Sequence, residues 1–175
     1  ARRHMLMTDS RDDSARFLPS PLHGLTLLIS RKGFPKSLSE RIGDAESLTA
    51  WACEQVILDN IDPEIVDRVG MIVRHRQIAS LLNQAELEKD LLRSTSLLDG
   101  EGDLIDTASM VEILIEVVGR SGERTLLIER LVDKEDAVTH ARLLVGEWEN
   151  MLEAVTTEHV EDIRLGPARP AFLDL

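Results

Sequence analysis

The apolar positions between Ile61 and Leu92 change direction when they are placed on a helical wheel. At 100° per residue, one group falls on one side of the wheel and a second group falls nearly opposite. The first group is Ile65, Val66 and Val69, and the second is Met71, Ile78, Leu82, Ala85 and Leu92. One straight helix cannot bury both groups against one neighbour, so the pattern predicts a break at Gly70. We expect a helix over 62–69 and a second over 71–93, with His75 on the inner face of the second.

Start and stop signals support further helices. The tripeptide 62–64, Asp-Pro-Glu, combines a capping oxygen, a proline suited to the first turn and an acid near the positive helix end. Pro35 and Gly43 bracket a shorter helical segment. These signals predict a helix that opens at Pro35 and another that opens at the Asp62 cap.

Two longer helices follow from the same reasoning. Asp44 can cap a helix over 45–59, and Asp133 can cap a last helix over 134–155. In the first of them the expected buried stripe is Leu48, Ala52 and Val56. The segment 94–106 contains two glycines and is expected to be a surface loop.

The segment 108–132 admits two readings. As strands, its alternate residues share one face and a turn over 119–122 returns the chain as a hairpin; those residues are Val111, Ile113, Ile115 and Val117. As helices, it places Glu112 and Glu116 on one exposed ridge. The β-branched run favours strands, but a lone hairpin is only marginally stable and the surroundings are helical. Helices are therefore the first expectation, and a hairpin at about 110–131 is the alternative.

The predicted fold class is mainly α, a compact bundle of five to seven helices with an extended N-terminal arm and a C-terminal tail. The alternative is α+β with the hairpin. Residues 1–22 are expected to be a flexible leader that begins with an expression-vector remnant, ARRHM. Residues 23–160 would form one helical domain and 161–175 an extended tail, which suits a chain of 175 residues.

Composition indicates a globular chain with an acidic surface. Apolar residues make up 43% and charged residues 30%, with a net charge of −12. Such a charge repels phosphate backbones and argues against nucleic acid as a partner. No apolar run approaches the roughly 20 residues of a membrane span, so no membrane contact and a cytoplasmic location are expected. Arginine outnumbers lysine 16 to four, as in many proteins of high-GC bacterial genomes.

The sequence predicts no cofactor and no catalytic residue. It contains no glycine-rich phosphate loop, no G-x-S-x-G, no H-E-x-x-H and no C-x-x-C. Cys53 is the only cysteine, which excludes an intrachain disulfide and a multi-cysteine zinc site. Because it lies in the apolar run WACEQVIL, Cys53 is expected to be buried and unreactive.

The basic residues Arg68, Arg74, His75 and Arg76 are the candidates for contact with an anion or a partner. They gather positive or titratable groups in a chain dominated by acids, and guanidinium groups bind carboxylates and phosphates well. The competing reading is structural, in which His75 packs and the arginines pair with nearby acids such as Glu64 or Asp67.

The acidic loop after residue 98 offers a cation site whose candidate ligands are Asp99, Glu101 and Asp103. They present oxygen atoms at alternate positions, as a calcium loop does. However, the sixth position counted from Asp99 is Leu104 instead of glycine, and the twelfth is Met110 instead of a bidentate glutamate. The first expectation is therefore that no metal binds and that the loop is solvated.

The predicted function is a non-catalytic interaction or assembly protein, a small subunit or adaptor that binds a protein partner or a second copy of itself. The apolar segments GLTLLIS at 24–30 and AFLDL at 171–175 are the candidates for exchanged contacts. The alternative is an enzyme or small-molecule-binding bundle with a pocket between helices. That pocket would use His75 or His140 with nearby arginines.

Overall fold

The computed structural model describes residues 17–104, 109–158 and 167–175. Within those ranges the chain forms five α-helices and one antiparallel sheet of three strands in the order β1-β2-β3. The helices are α1 (Lys36–Ile42), α2 (Ala45–Leu58), α3 (Ile78–Glu88), α4 (Leu91–Ser96) and α5 (Ala137–Thr156), and the strands are β1 (Val69–Arg76), β2 (Met110–Val118) and β3 (Thr125–Asp133). The prediction of a mainly α helical bundle is therefore wrong, and the alternative α+β fold is confirmed.

Strand β1 occupies the segment where the wheel predicted a break between two helices. Val69, Met71 and Val73 are buried at every second position along it. Successive side chains of a strand point to opposite faces, so placing this segment on a 3.6-residue wheel creates an artificial reversal of its apolar face. Of the helix expected over 62–69, only a short 3-10 turn at Val66–Arg68 is present.

The prediction of one continuous helix over 71–93 is wrong. Its middle is α3, but β1 takes its first residues and α4 begins before its expected end. Helix α4 continues into the segment 94–106 that was expected to be a loop. Asp90 caps α4 by accepting a hydrogen bond from the backbone N–H of Arg93, a start signal that the continuous apolar pattern concealed.

Strands β2 and β3 form the hairpin that was the alternative for 108–132. Val111 pairs with Val132 and Val117 with Leu126, and the turn lies over 119–122 as the sequence indicated. A lone hairpin would be marginal, but here β2 is the central strand and also pairs with β1 along its whole length. A sheet of three paired strands that packs on helices is stable, so the marginal stability of a lone hairpin does not argue against strands here.

The two faces of the sheet have different partners. The inner face carries the alternating apolar residues and packs on α2 and α5, which also pack on each other. The outer face carries Glu112 and Glu116, both of which are buried, instead of lying on the exposed ridge of the helical reading. One end of this outer face is covered by α3 and α4. Ile78 and Leu81 of α3 and Leu97, which follows α4, form a small second core there.

Helix α2 is confirmed in position but differs in the face that it buries. Asp44 caps it by accepting hydrogen bonds from the backbone N–H and hydroxyl of Ser47, and these bonds lower the pKa of Asp44. The buried residues are Ala50, Cys53, Glu54 and Ile57. The expected stripe is wrong, since Leu48 is 63% exposed. The helix is apolar on several sides, so periodicity alone could not identify its buried face.

Helix α5 confirms the last predicted helix, although it begins at Ala137 after a 3-10 turn and Asp133 makes no capping hydrogen bond. It buries Ala141, Leu144 and Trp148. The end of the chain packs back on this helix and on the hairpin. Leu173 is buried, and its N–H donates to the carbonyl of Val155 at 2.9 Å. The described part of the tail therefore contributes to the core of its own chain.

Substituting Gly119 is expected to detach this tail. A methyl group at Gly119 would overlap Oδ1 of Asp174 and lie 3.1 Å from Cδ1 of Leu173. We expect Gly119→Ala to lower the free energy of unfolding by about 1–3 kcal/mol through overpacking. The control Gly146→Ala, in a helix and with nothing within 4 Å of the new methyl, should raise it by about 0.5–1 kcal/mol. Denaturant unfolding measures both, and a Gly119→Ala variant as stable as wild type would contradict the docked tail.

The described start of the chain runs along the free edge of β1. The carbonyl of Pro19 accepts a hydrogen bond from the N–H of Met71 at 2.9 Å, and Leu18 is buried. Residues 17–22, here called the strap, therefore protect an edge strand that would otherwise present unpaired amides. Most of the predicted leader at 1–22, and the tail residues 161–166, lie outside the described residues. None of the helices in the described ranges combines the length and the apolar character of a transmembrane span.

Candidate functional site

An apolar groove lies between the segment after the strap, α1 and the first turns of α2. Its volume is about 850 Å³. It is lined by Gly24, Leu25, Thr26, Leu27, Leu28, Ser39, Glu40, Ile42, Gly43, Asp44, Ala45, Ser47, Leu48 and Trp51. We call residues 24–43 the arm, and the space between the arm and α2 the groove.

The groove and the arm expose large apolar side chains in unusual number. The exposed fractions are 73% for Leu27, 68% for Leu28, 95% for Ile29, 42% for Phe34, 45% for Leu38, 58% for Ile42, 63% for Leu48 and 38% for Trp51. Helix α1 buries none of its residues. The arm is therefore not held by the core of its own chain.

A second exposed apolar group lies where α3 passes into α4. Leu87, Leu91 and Leu92 are each at least 78% exposed. They surround Lys89, whose backbone adopts the left-handed conformation that ends α3. This group is smaller than the arm and does not line the groove.

The predicted basic site is divided by the sheet. Arg74 and Arg76 lie on the outer face, where both contact the carboxylate of Glu112. Arg93 joins them from α4, 2.9 Å from Oε1 of Glu112 and 2.8 Å from Oε1 of Glu129. Sequence reasoning missed Arg93 and Glu112, since nothing in their spacing showed that α4 and β2 would meet.

Glu112 is the centre of this cluster. Its side chain is 2% exposed, against 15% for Arg76 and 16% for Arg93. Burial alone would raise the pKa of Glu112, but the guanidinium groups of Arg74, Arg76 and Arg93 outweigh burial and lower it. The three arginines therefore form ion pairs with a buried carboxylate of their own chain. This arrangement agrees with a structural role for Arg74 and Arg76.

The other predicted basic residues lie elsewhere. Arg68 contacts residues close to it in sequence. Its guanidinium donates to the carbonyl of Glu64 at 3.4 Å, and its Nε lies 3.7 Å from Oδ1 of Asp67. His75 shares the inner side of β1 with Met71 and Val73 in the strand alternation, and both of its ring nitrogens are buried without a hydrogen bond in the described structure. The four basic residues singled out from the sequence therefore do not lie together in one site.

Glu54 is a second buried carboxylate that the sequence did not single out. It is 4% exposed and accepts backbone hydrogen bonds from Leu22 in the strap and Val73 in β1. Burial raises the pKa of Glu54, and the two amide donors offset that effect only in part. This carboxylate joins α2, the strap and the edge of the sheet.

The remaining titratable candidates have local explanations. Cys53 is buried as predicted, and burial raises the pKa of its thiol to about 11. Oδ1 of Asp99 accepts hydrogen bonds from the backbone N–H of Glu101 and Asp103, which shapes the acidic loop. Over the ranges that the structure covers, no three His, Cys, Asp or Glu side chains are placed to hold a metal ion. His140 lies on α5 and does not line the groove.

Comparison with known proteins gives no family for this chain. No family model matches it, and neither the curated proteins nor the solved structures contain a match.

Proposed function

We propose that this chain is a non-catalytic interaction protein that binds a polypeptide over its arm and groove. The observation that carries the proposal is the exposure of eight large apolar side chains between Leu27 and Trp51. Large exposed apolar surfaces are rare on monomeric proteins and mark interaction sites, because burying them against a partner is favourable. A polypeptide can cover side chains that are spread over an irregular segment and two helices.

The state of the buried ionisable groups supports a non-catalytic role. Glu112 neutralises arginines, Glu54 holds backbone amides, and the thiol of Cys53 is enclosed by the core. Each of these groups has a structural task at its position. A cytoplasmic location belongs to the same proposal, since a single free thiol suits a reducing compartment.

The proposal is tested by an apolar fluorescent probe, anilinonaphthalene sulfonate, added to dilute protein. We expect bound-probe fluorescence that falls several-fold in Leu48→Glu, because Leu48 lines the groove. Leu143→Glu is the matched control, since Leu143 is 60% exposed on a helix, close to the 63% of Leu48, but does not line the groove. Equal fluorescence in the two variants, or no probe binding by wild type, would exclude the groove as a binding surface.

A second candidate function is the binding of a small apolar molecule. The volume of about 850 Å³ lies within the range of roughly 300–1,000 Å³ that small-molecule sites occupy. Ser39, Asp44 and Ser47 supply a few polar groups at its wall. The residues expected for such a pocket, His75, His140 and the arginines, do not line the groove. Saturable one-to-one binding of the neutral probe N-phenylnaphthylamine to a monomer, abolished by Leu48→Glu, would favour this function over the first.

A further inference from the structure

We infer that the polypeptide bound by the groove is the arm of a second copy of this chain, so that two copies join by reciprocal contact. The inference rests on the proposed function and adds the identity of the partner. It follows from the backbone of the arm, from its charge and from the side chains that the groove presents.

Residues 25–30 belong to no helix or strand and have no backbone hydrogen bond within the described structure. Its side chains are apolar on both sides, since Leu27, Leu28 and Ile29 are all at least 68% exposed. An apolar segment whose amides and carbonyls are open can pair with another segment as strands do. A second copy supplies the same segment, and two such segments can pair with each other.

The sheet of the same chain does not offer the arm an equivalent place. The free edge of β1 is already engaged, because the N–H of Met71 donates to Pro19 and the N–H of Val73 donates to Glu54. The other edge of the sheet is β3, and no backbone hydrogen bond joins the arm to it among the described residues. The arm is thus not a fourth strand of its own sheet.

Charge favours a second copy over other partners. The arm carries Arg31, Lys32, Lys36 and Arg41 against one acid, Glu40, for a net charge of +3. Since the whole chain carries −12, the other 155 residues carry −15. A basic apolar arm is complementary to an acidic body, and the second copy provides one.

The groove, which its own arm helps to line through Glu40, presents side chains that complement the arm of another copy. Leu48 and Trp51 supply an apolar wall from α2, and Glu40 and Asp44 place carboxylates beside it. An arm entering from a second copy would bury Leu27 or Ile29 on that wall and bring Arg31 and Lys32 near those acids. Arm and groove on one surface make that surface self-complementary, as a two-fold interface requires.

The test is light scattering during size-exclusion chromatography over a range of protein concentrations. We expect a dimer for wild type and at least a ten-fold weaker dimer for Ile29→Asp, with dissociation promoted by salt because the arm is basic. Leu92→Asp is the matched control, since Leu92 is 86% exposed and Ile29 is 95% exposed, so neither substitution disturbs the core of the monomer. The control should dimerise as wild type does.

Two outcomes would overturn the inference. One is a wild-type monomer at every concentration, and the other is an Ile29→Asp variant that dimerises as strongly as wild type. If the wild type is monomeric while the groove still binds the apolar probe through Leu48, the partner is not a second copy, yet the proposed function stands. If probe binding is also absent, both fail.

Discussion

Replacing Glu112 with glutamine is expected to lower the free energy of unfolding by about 3 kcal/mol at pH 7, at the low end of the range for breaking a buried ion pair. The shape of the side chain is kept, but three guanidinium groups lose their shared counter-charge. Arg76 and Arg93 suffer most, because their side chains are only 15% and 16% exposed. The side-chain NH₂ of glutamine would also face the N–H groups of the arginines, where a donor finds no acceptor.

The cost of Glu112→Gln should depend on pH. The pKa of Glu112 is lower in the folded protein than in the unfolded chain, because the arginines stabilise its charge. Its contribution to stability is therefore present above the usual glutamate pKa of about 4.3 and is lost as pH falls through the folded pKa. The difference between wild type and variant should shrink below about pH 4.

Glu129→Gln is the control for this substitution. Glu129 pairs with Arg93 at the surface and its side chain is 37% exposed, so its loss should cost less than about 1 kcal/mol. Denaturant unfolding of both variants from pH 3 to pH 8 makes the comparison. A Glu112→Gln variant no less stable than Glu129→Gln, or a difference that does not change with pH, would contradict the central role of Glu112.

Replacing Glu54 with alanine is the second substitution with a large expected effect, about 2–3 kcal/mol of lost stability. It removes the acceptor of two backbone amides, Leu22 N–H in the strap and Val73 N–H in β1. Release of the strap would also uncover the edge of the sheet and promote association between edges. Gln55→Ala on the same helix, where the amide group of Gln55 contacts Asp59 at the surface, should cost less than about 0.5 kcal/mol.

The pH dependence of Glu54 has the opposite sign to that of Glu112. Burial raises the folded pKa of Glu54 above its unfolded value, so protonation favours the folded state. Its contribution is fully present below about pH 4.3 and is lost as pH rises through the folded pKa. The cost of Glu54→Ala should therefore be greater at pH 4 than at pH 8, when unfolding is measured at both. A cost that grows with pH would contradict the burial of this carboxylate.

Local signals in the sequence predicted the elements whose ends are chemically marked. Asp44 and Gly43 define where α2 begins and α1 ends, and both were recognised. The turn at 119–122 was recognised as well, and Gly122 adopts the positive φ of +79° that such a turn uses. These positions depend on residues close in sequence, which is why a single chain reveals them.

The sheet was missed because its stability depends on distant residues. β1 and β2 are separated by α3 and α4, so the pairing of Met71 with Ile115 has no local signature. A short apolar segment fits a buried strand or a buried helix equally well. The alternation of Val69, Met71 and Val73 was the available signal, and the wheel obscured it.

The candidate site was predicted only in part. The segment 24–30 was singled out for its apolar residues without a helical stripe, and it lies in the exposed arm. The basic residues around His75 were candidates by composition, yet the structure places Arg74 and Arg76 against a buried glutamate. The exposure of Leu48 and Trp51 could not be foreseen, because it depends on which face of α2 meets the sheet.

Hydrogen exchange of the amides of residues 26–30, measured at several protein concentrations, tests the pairing of two arms most directly. Within the described part of one chain these amides have no backbone partner, so an isolated copy should exchange them without protection. If two arms pair, protection should rise with concentration and should be lost in Ile29→Asp. Unprotected exchange of these amides at every concentration would contradict the account.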